Sequence, residues 1–389
     1  APANAATLGT VVVAATNSVF APDTKGVGTN IAGRQLETAA SANRSLDDIA
    51  RLDPRVTVTD QSDGSISVSG LNNRYNNISV DGLSVTDPFG LNANGMGFTG
   101  SPISPDTIAA YDIAITDFDV SSDSVGANIN AVTKSGTNDF HGSVYYAYTD
   151  GGSMVGDRQG SDFNVFDKNK TAGFTVGGPI LKDRLFFYVG YEDQKVTGIA
   201  GVGANALTTG LLTAQQVADV AAAFESIGIT NGGGAGDVTL ENKRTLAKLD
   251  WNITDNQRAT FTYQKTEESK PTPYSGYVKD WSVIMPANWY TSASKTDNYS
   301  VQLFSDWTEN FSTELKVGYQ KYDNVNGAAL DQPEVFACFS AAPCSNNPTS
   351  IPSTTPWIIG GEDRFRHENA IASKRITWTL SGTYYAGDH

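Results

Sequence analysis

The chain has 389 residues, with 27 basic and 42 acidic side chains and a formal net charge of −15. This acidity excludes nucleic acid as an expected partner, because phosphate binding needs a basic surface. No run of about 18 apolar residues occurs, which excludes a transmembrane helix. The three histidines and two cysteines have no metal-ligand spacing, and no phosphate-binding or hydrolase motif is present. We therefore expect no catalytic residue, no metal and no cofactor.

The aromatic residues divide the chain near Thr137. Residues 1–138 contain 6 of the 39 aromatic side chains, and the other 251 residues contain 33, including all 6 tryptophans. Aromatic girdles at two membrane interfaces produce such an enrichment. The chain begins at Ala1-Pro2-Ala3 without a charged or apolar leader, so we expect that any secretory signal has been removed.

The N-terminal part has the pattern of a small mixed α/β domain. Leu46 and Ile49 lie on one face of a short helix, with Ser45 as a candidate N-cap and Pro54 after its end. Asp81-Gly82 is a turn signal. Alternating residues predict strands at 56–58, 66–68, 78–80 and 113–115.

Eight stretches of alternating apolar and polar residues fill positions 140–389. In Gln257–Gln264, Ala259, Phe261 and Tyr263 fall on one face, while threonine, arginine and glutamine fall on the other. One face of such a strand suits lipid and the other a polar lumen. The pattern predicts strands of a membrane β-barrel.

The connections between these stretches alternate in length. The tight turns are at 181–183, 254–256 and 308–310, and the long links are at about 150–170, 197–240, 269–294 and 323–363. Outer-membrane barrels have short periplasmic turns and long external loops. A soluble β-sandwich is the alternative, but its loops would not sort by length so regularly.

The second long link contains a helix signal. Thr213 and Gln216 fit a capping box, and Gly228 can end the helix. An apolar stripe, expected to be buried against neighbouring loops, contains Val217, Val220, Ala221, Phe224 and Ile227. We predict a helix from about Ala214 to Ile227, outside the membrane, either as a lid over ligand or as a packed part of the loop.

The only cysteines, Cys338 and Cys344, lie in the last long link. A short-range pair in an external loop predicts a disulfide in an oxidising compartment, with two free thiols as the alternative.

Four segments resemble a known family. Val68–Gly82, with the run Gly-Leu-Asn-Asn-Arg-Tyr-Asn-Asn, is similar to the plug of TonB-dependent outer-membrane receptors. Val132–Ser143 resembles the plug-to-barrel junction of their Oar-like branch, and 177–187 resembles the second and third barrel strands of that branch. Near the start of the chain, a run similar to a TonB box contains Thr10, Val11, Val12, Val13 and Ala14.

The resemblance implies a transporter rather than an enzyme. Residues 1–20 would be the TonB-box segment, 21–138 the plug, and 139–389 the N-terminal part of the barrel, located in the outer membrane with loops at the cell surface. The TonB complex of the inner membrane would pull on the box, and an external ligand (sugar, peptide or chelate) would enter past the plug. An N-terminal strand packed on the plug is the alternative for the box.

Two groups of residues are candidates for ligand contact. The plug-apex group contains Arg74, Tyr75, Asn76 and Asn77. The loop group contains Tyr274, Tyr277, Trp281, Trp289 and Tyr290, since aromatic faces suit sugars or peptides. For Trp281 and Trp289, an interfacial or loop-packing role is an equal alternative.

The strand count departs from the family. TonB-dependent barrels have about 22 strands, whereas eight are visible here. A plug of this size does not fit an eight-stranded barrel, so we expect the chain to be the N-terminal part of a longer receptor. Rival functions are a surface structural or secretion-assisting protein on the same scaffold, and a passive porin, which would need no plug.

Overall fold

The fold is known from a computed structural model. It describes residues 28–39, 44–60, 64–87, 89–90, 92, 94–115, 126–153, 157–158, 161–162, 166–197, 204–231, 239–328, 331–340, 355–365 and 369–386. The TonB-box segment lies outside these residues.

The N-terminal domain, called the plug below, is built on a five-stranded sheet. Its elements are β1 (Gly28–Ala32), α1 (Gly33–Glu37), α2 (Leu46–Ala50), β2 (Val56–Asp60), β3 (Ser65–Val68), β4 (Asn77–Val80), β5 (Leu83–Ser84), β6 (Ile108–Ala114) and β7 (Asn128–Thr133). The sheet has the order β1-β6-β7-β4-β5, and β2 pairs with β3 in a separate hairpin. Its apolar core includes Ile31, Ile49, Ile113 and Ile129.

Local sequence explains most of these elements. Asp81 and Gly82 both have positive φ, 48° and 77°, and join β4 to β5 as the turn signal predicted. The predicted helix after Ser45 is α2, but Ser45 does not cap it, because its hydroxyl has no hydrogen-bond partner in the described structure.

The rest of the chain forms a large sheet and a layer above it. The elements are β8 (His141–Asp150), β9 (Asp157–Arg158), β10 (Ser161–Asp162), β11 (Lys168–Leu181), β12 (Leu185–Thr197), α3 (Asn205–Thr208), α4 (Ala214–Ser226), β13 (Thr239–Thr254), β14 (Gln257–Thr272), β15 (Ser282–Ile284), β16 (Tyr290–Thr308), β17 (Phe311–Ala328), β18 (Val335–Cys338), β19 (Trp357–Gly360) and β20 (Asn369–Tyr384).

The large sheet, called the wall below, has eight strands in the order β20-β17-β16-β14-β13-β12-β11-β8. Each neighbouring pair is antiparallel. The eight predicted strands and their three tight turns are confirmed. Within the described residues β8 and β20 do not pair with each other, so the wall is an open sheet.

The two faces of the wall differ as the alternation predicted. On β14, Thr260, Thr262 and Gln264 are buried towards the plug, whereas Phe261 is exposed on the outer face. The plug core reaches the inner face through Tyr188 and Leu246 of the wall. No described helix has the length and apolarity needed to cross a membrane.

The long loops pack together into a layer that we call the cap. In it, β15 pairs with β19, and β19 with β18, to form a three-stranded sheet. Helix α4 has the predicted capping box between Thr213 and Gln216, and Gly228 follows it with φ of 85°. Phe224 is buried in the cap core as predicted. The inclusion of Ile227 in the buried stripe was wrong, because it lies at the C-cap and is 68% exposed.

Candidate functional site: the interface between plug and wall

The interface is centred on a buried carboxylate that the sequence reasoning missed. Glu192 of β12 faces inward and its side chain is fully buried. It accepts hydrogen bonds from Ser104 Oγ at 2.9 Å and Tyr145 Oη at 2.8 Å. It also pairs with Arg44 of the plug and with Arg244 of β13. A buried charge needs such partners, since an unpaired one is costly.

The polar contacts continue along the inner face of the wall. Arg244 donates from Nε to Asn242 Oδ1 at 3.1 Å, and Asn242 Nδ2 donates to Glu268 Oε2 at 3.1 Å. Glu268 in turn accepts from the backbone N–H groups of Thr99 and Gly100, at 2.8 and 2.9 Å. Three wall strands thus hold one plug segment through a connected network.

Gly100 lies close to two side chains of the wall. A Cβ atom at this position would lie 2.8 Å from Asn242 Nδ2 and 3.1 Å from Arg244 Nη2. A side chain at this position would therefore displace the ends of Asn242 and Arg244 from the network.

A second contact uses the turn between β4 and β5. Asp81 accepts from the backbone N of Thr133 at 2.8 Å and from Thr133 Oγ1 at 2.6 Å. Lys248 of β13, buried on the inner face, lies 3.7 Å from Asp81 Oδ2 and donates to Thr133 Oγ1 at 3.1 Å. Gln302 of β16 donates to the Asp81 carbonyl at 2.8 Å.

The N-terminal edge of the plug has its own polar cluster. Asp53 is buried and receives hydrogen bonds from Arg55 and from Thr29 of β1, the latter at 2.6 Å. Hydrogen bonds from the Arg55 guanidinium, then from Thr29 and the Arg55 backbone N–H, hold the pKa of Asp53 well below its usual range. The cluster ties β1, an edge strand, to the loop after α2.

The predicted plug-apex residues divide into two pairs. Arg74 and Tyr75 are exposed, and Tyr75 retains 54% of its accessible surface. Asn76 is buried and bonds to Ile66 O and Ala127 N, and Asn77 bonds to Asn128 and Thr86. The first pair is accessible to a ligand, whereas the second pair holds plug strands together.

The predicted loop aromatics lie mainly inside the cap. Tyr277 and Trp289 are buried in one apolar cluster, which Tyr274 and Trp281 join as partly buried neighbours. Tyr290 is half-buried at the start of β16. Tyr277 Oη donates to Glu334 Oε1 at 3.0 Å, and burial raises the pKa of both groups. Packing within the cap accounts for Tyr277 and Trp289 without a ligand.

Cys338 ends β18 and is disulfide-bonded. Cys344 lies outside the described residues, so the pairing of these two residues stays a prediction.

The chain resembles known proteins in sequence and in fold. Residues 132–232 match the family model described as an outer membrane beta barrel domain. The TonB-dependent transporter Oar of Myxococcus xanthus is 36% identical over 161 residues, which cover 39% of this chain and 14% of Oar.

Solved structures share the fold at low sequence identity. The siderophore receptor PirA of Acinetobacter baumannii has a TM-score of 0.59 at 18% identity, over 91% of this chain and 44% of that one. The outer membrane transporter YddB of Escherichia coli has a TM-score of 0.60 at 15% identity, over 92% and 45%. A mutant of the ferric enterobactin receptor PfeA of Pseudomonas aeruginosa has a TM-score of 0.59 at 16% identity, over 92% and 46%.

The chain spans less than half the length of these solved structures and about one seventh of Oar. The matching family model, the identity with Oar and the shared plug-and-wall architecture agree with one another. The chain therefore contains an outer membrane β-barrel domain, is similar in sequence to the TonB-dependent transporter Oar, and shares its fold with siderophore receptors of the outer membrane.

Proposed function

We propose that the protein imports an external ligand past the plug, using work supplied by the TonB complex of the inner membrane. The observation that carries this proposal is the buried network around Glu192. Charge-assisted hydrogen bonds between buried groups are strong, and removing one partner of a buried pair typically costs about 3–5 kcal/mol. A plug held in this way needs external work to move.

The work would enter through the N-terminal segment. That segment leads into β1, whose one partner among the described strands is β6, and β1 is tied to the plug body through Thr29 and Asp53. A pull on the predicted box at Thr10–Ala14 would reach this edge strand first. An extended box is a suitable handle, because a partner protein can add a strand to it through main-chain hydrogen bonds.

The ligand would first meet the exposed residues of the plug apex. Arg74 offers a cation and Tyr75 a stacking face, which suit an anionic chelate, a sugar or a peptide. Among the loop aromatics, Tyr274, Trp281 and Tyr290 keep partial exposure and remain candidates for contact. No covalent chemistry is needed for this cycle.

The role of the predicted TonB box at Thr10–Ala14 can be tested without knowing the ligand. The purified periplasmic domain of TonB is titrated against the protein in detergent. We expect Val12→Pro to weaken binding at least ten-fold, because proline removes a backbone donor and blocks strand pairing. Ala6→Pro, upstream of the box, is the control and should bind normally.

Equal binding by both variants would contradict the box assignment. If the unsubstituted protein did not bind TonB, the alternative of a surface structural or secretion-assisting protein would replace the transport proposal.

A further inference from the structure

The inner face of the wall carries a group of neutral polar side chains on the long-loop side of the plug. Tyr322 of β17 marks the level of the plug there, because its hydroxyl donates to Gly97 O at 3.5 Å. Asn324 and Asn326 follow Tyr322 on the same face of β17, and Asn324 lies about 7 Å further along the strand. These positions lead from the plug towards the long loops.

Neighbouring strands add to this group. In the register of the wall, Ser294 of β16 lies opposite Asn324, and Ser292 lies opposite Asn326. Asn369 of β20 is the neighbour of Asn326 on the other side. We call these five residues the amide patch. Their amide and hydroxyl groups offer both hydrogen-bond donors and acceptors and carry no charge.

One acceptor of the amide patch has no partner. Asn324 Nδ2 donates to Ser294 Oγ at 2.9 Å and to Ser292 Oγ at 3.3 Å, so this side chain is held within the patch. Asn326 Oδ1 is a buried atom and has no hydrogen-bond partner in the described part of the chain. An unsatisfied buried acceptor costs free energy, so this atom needs a donor from elsewhere, and a ligand hydroxyl is a suitable one.

Two further side chains extend the amide patch on the same face. Tyr290 precedes Ser292 by two residues on β16 and is half-buried, so its ring offers a stacking face beside the patch. Lys270 of β14 lies opposite Ser292, and its ammonium group adds hydrogen-bond donors. A stacking face next to neutral donors and acceptors suits the apolar face and the hydroxyl groups of a sugar ring.

The long links make the approach to this region acidic. Within the bounds given above, the four links contain 13 acidic and 5 basic side chains, and the links at 197–240 and 323–363 contain no lysine or arginine. Such a surface repels anions, which disfavours an anionic chelate as the ligand. A neutral ligand meets no such barrier.

Two described carboxylates of these links already have partners within the protein. Asp219 accepts from Gln215 Nε2 at 2.8 Å, and Glu334 lies 2.8 Å from Arg364 Nε. A basic peptide would have to displace such partners before it formed ion pairs. The amide patch and the acidic links together favour a neutral, hydroxyl-rich ligand.

We propose that the imported ligand is a neutral oligosaccharide and that the amide patch and Tyr290 contact it on the wall, an inference that rests on the import function proposed above. Sugar hydroxyl groups donate to Asn326 Oδ1 and exchange hydrogen bonds with Ser292 and Asn369, while one ring face stacks on Tyr290. Because this recognition uses no charge on the ligand, its affinity changes little with salt.

The test uses the intact protein in a detergent without a sugar headgroup and an array of neutral oligosaccharides of hexoses and pentoses. We expect at least one of these probes to bind, with equal affinity at low and high salt. Asn326→Ala should weaken that binding about ten-fold, as expected for the loss of one hydrogen bond. Asn256→Ala, in an exposed tight turn at the other end of the wall, is the matched control and should bind normally.

A second variant separates loss of the contact from misfolding. Asn326→Asp keeps the shape and the acceptor, so it should bind the same sugar more tightly than Asn326→Ala does. The proposal is overturned if no neutral oligosaccharide binds, or if Asn326→Ala binds as the unsubstituted protein does. Tighter binding of carboxylated or sulfated forms of the sugar, or of basic peptides, would overturn it as well.

The TonB titration described above distinguishes this inference from the import function. Normal TonB binding together with any of these contrary results would leave import standing and remove only the oligosaccharide as its ligand. Absence of TonB binding would remove the import function itself, even if a sugar were bound.

Discussion

At the scale of single residues, Glu192 explains how the plug is held. Its charge is balanced by one arginine from the plug and one from the wall, Arg44 and Arg244. The sequence analysis did not single out Glu192, because nothing near it in the sequence shows that two arginines from distant segments meet it. Such long-range pairs have no local sequence signal.

We expect Glu192→Gln to loosen the plug, because it leaves Arg244 buried without a counter-charge, at a cost of about 3–5 kcal/mol. Limited trypsin digestion of isolated outer membranes should then cut the plug at least ten-fold faster. Asp193→Asn, on the outer face of the same strand, is the control. A digestion rate equal to that of the unsubstituted protein would show that Glu192 does not hold the plug.

The Asp53 carboxylate gives the plug a dependence on pH. Its folded-state pKa is lowered by Arg55 and Thr29, so its contribution to stability is complete above its ordinary pKa of 3.8 and is lost as pH falls below that value. Acid should therefore destabilise the plug through this group. The Asp53→Asn variant should be less stable than the unsubstituted protein at pH 7, and it should lose less stability on acidification.

Hydrogen exchange of β1 amides between pH 3 and pH 7, corrected for intrinsic exchange rates, measures this difference. Asp219→Asn, at an exposed carboxylate on α4, is the control. Parallel acid responses of the unsubstituted protein and Asp53→Asn would contradict the assignment.

At the scale of elements, local sequence patterns predicted where helices and strands lie better than they predicted which strands pair with each other. The capping box fixed the start of α4, and Gly228 its end, because both signals act within one turn. The pairing of β15 with β19 was not predicted, since these three- and four-residue strands are more than 70 residues apart. Tyr277 and Trp289 are buried beside these strands; loop packing had been an alternative for Trp289, whereas Tyr277 was expected only as a ligand contact.

Helix α4 should be attached to the cap mainly through Phe224, whose ring lies over Gly360. Phe224→Asp places a charge in an apolar core, and loss of a buried phenylalanine alone costs about 3–5 kcal/mol. We expect the surface loops of intact cells to become protease-sensitive while the wall stays folded. Ile227→Asp, at the exposed C-cap, is the matched control and should have no effect.

If Phe224→Asp left protease sensitivity unchanged, the packing of α4 on the cap would be contradicted. A change in ligand affinity in this variant would favour the interpretation of α4 as a lid over ligand, rather than as a packed part of the loop.

At the scale of the whole molecule, the plug, the wall and the tight turns were predicted from alternation, composition and the family resemblance. The wall is open in the described structure, and unpaired backbone groups are not tolerated in lipid. We expect residues 1–389, expressed alone, not to form a heat-resistant monomeric barrel in detergent. Mobility on gels with and without heating tests this, and a heat-modifiable monomer would contradict it.

The pairing of β15 with β19 also sets an order of events during biogenesis. Between these two strands the chain runs through β16 and β17, which cross the sheet in opposite directions. We therefore expect the cap sheet to close after both of these strands have been placed. Contacts between such distant segments form slowly. Closure of the cap is therefore a late step in assembly, and antibodies against β19 would recognise newly inserted chains before that step and lose their epitope after it.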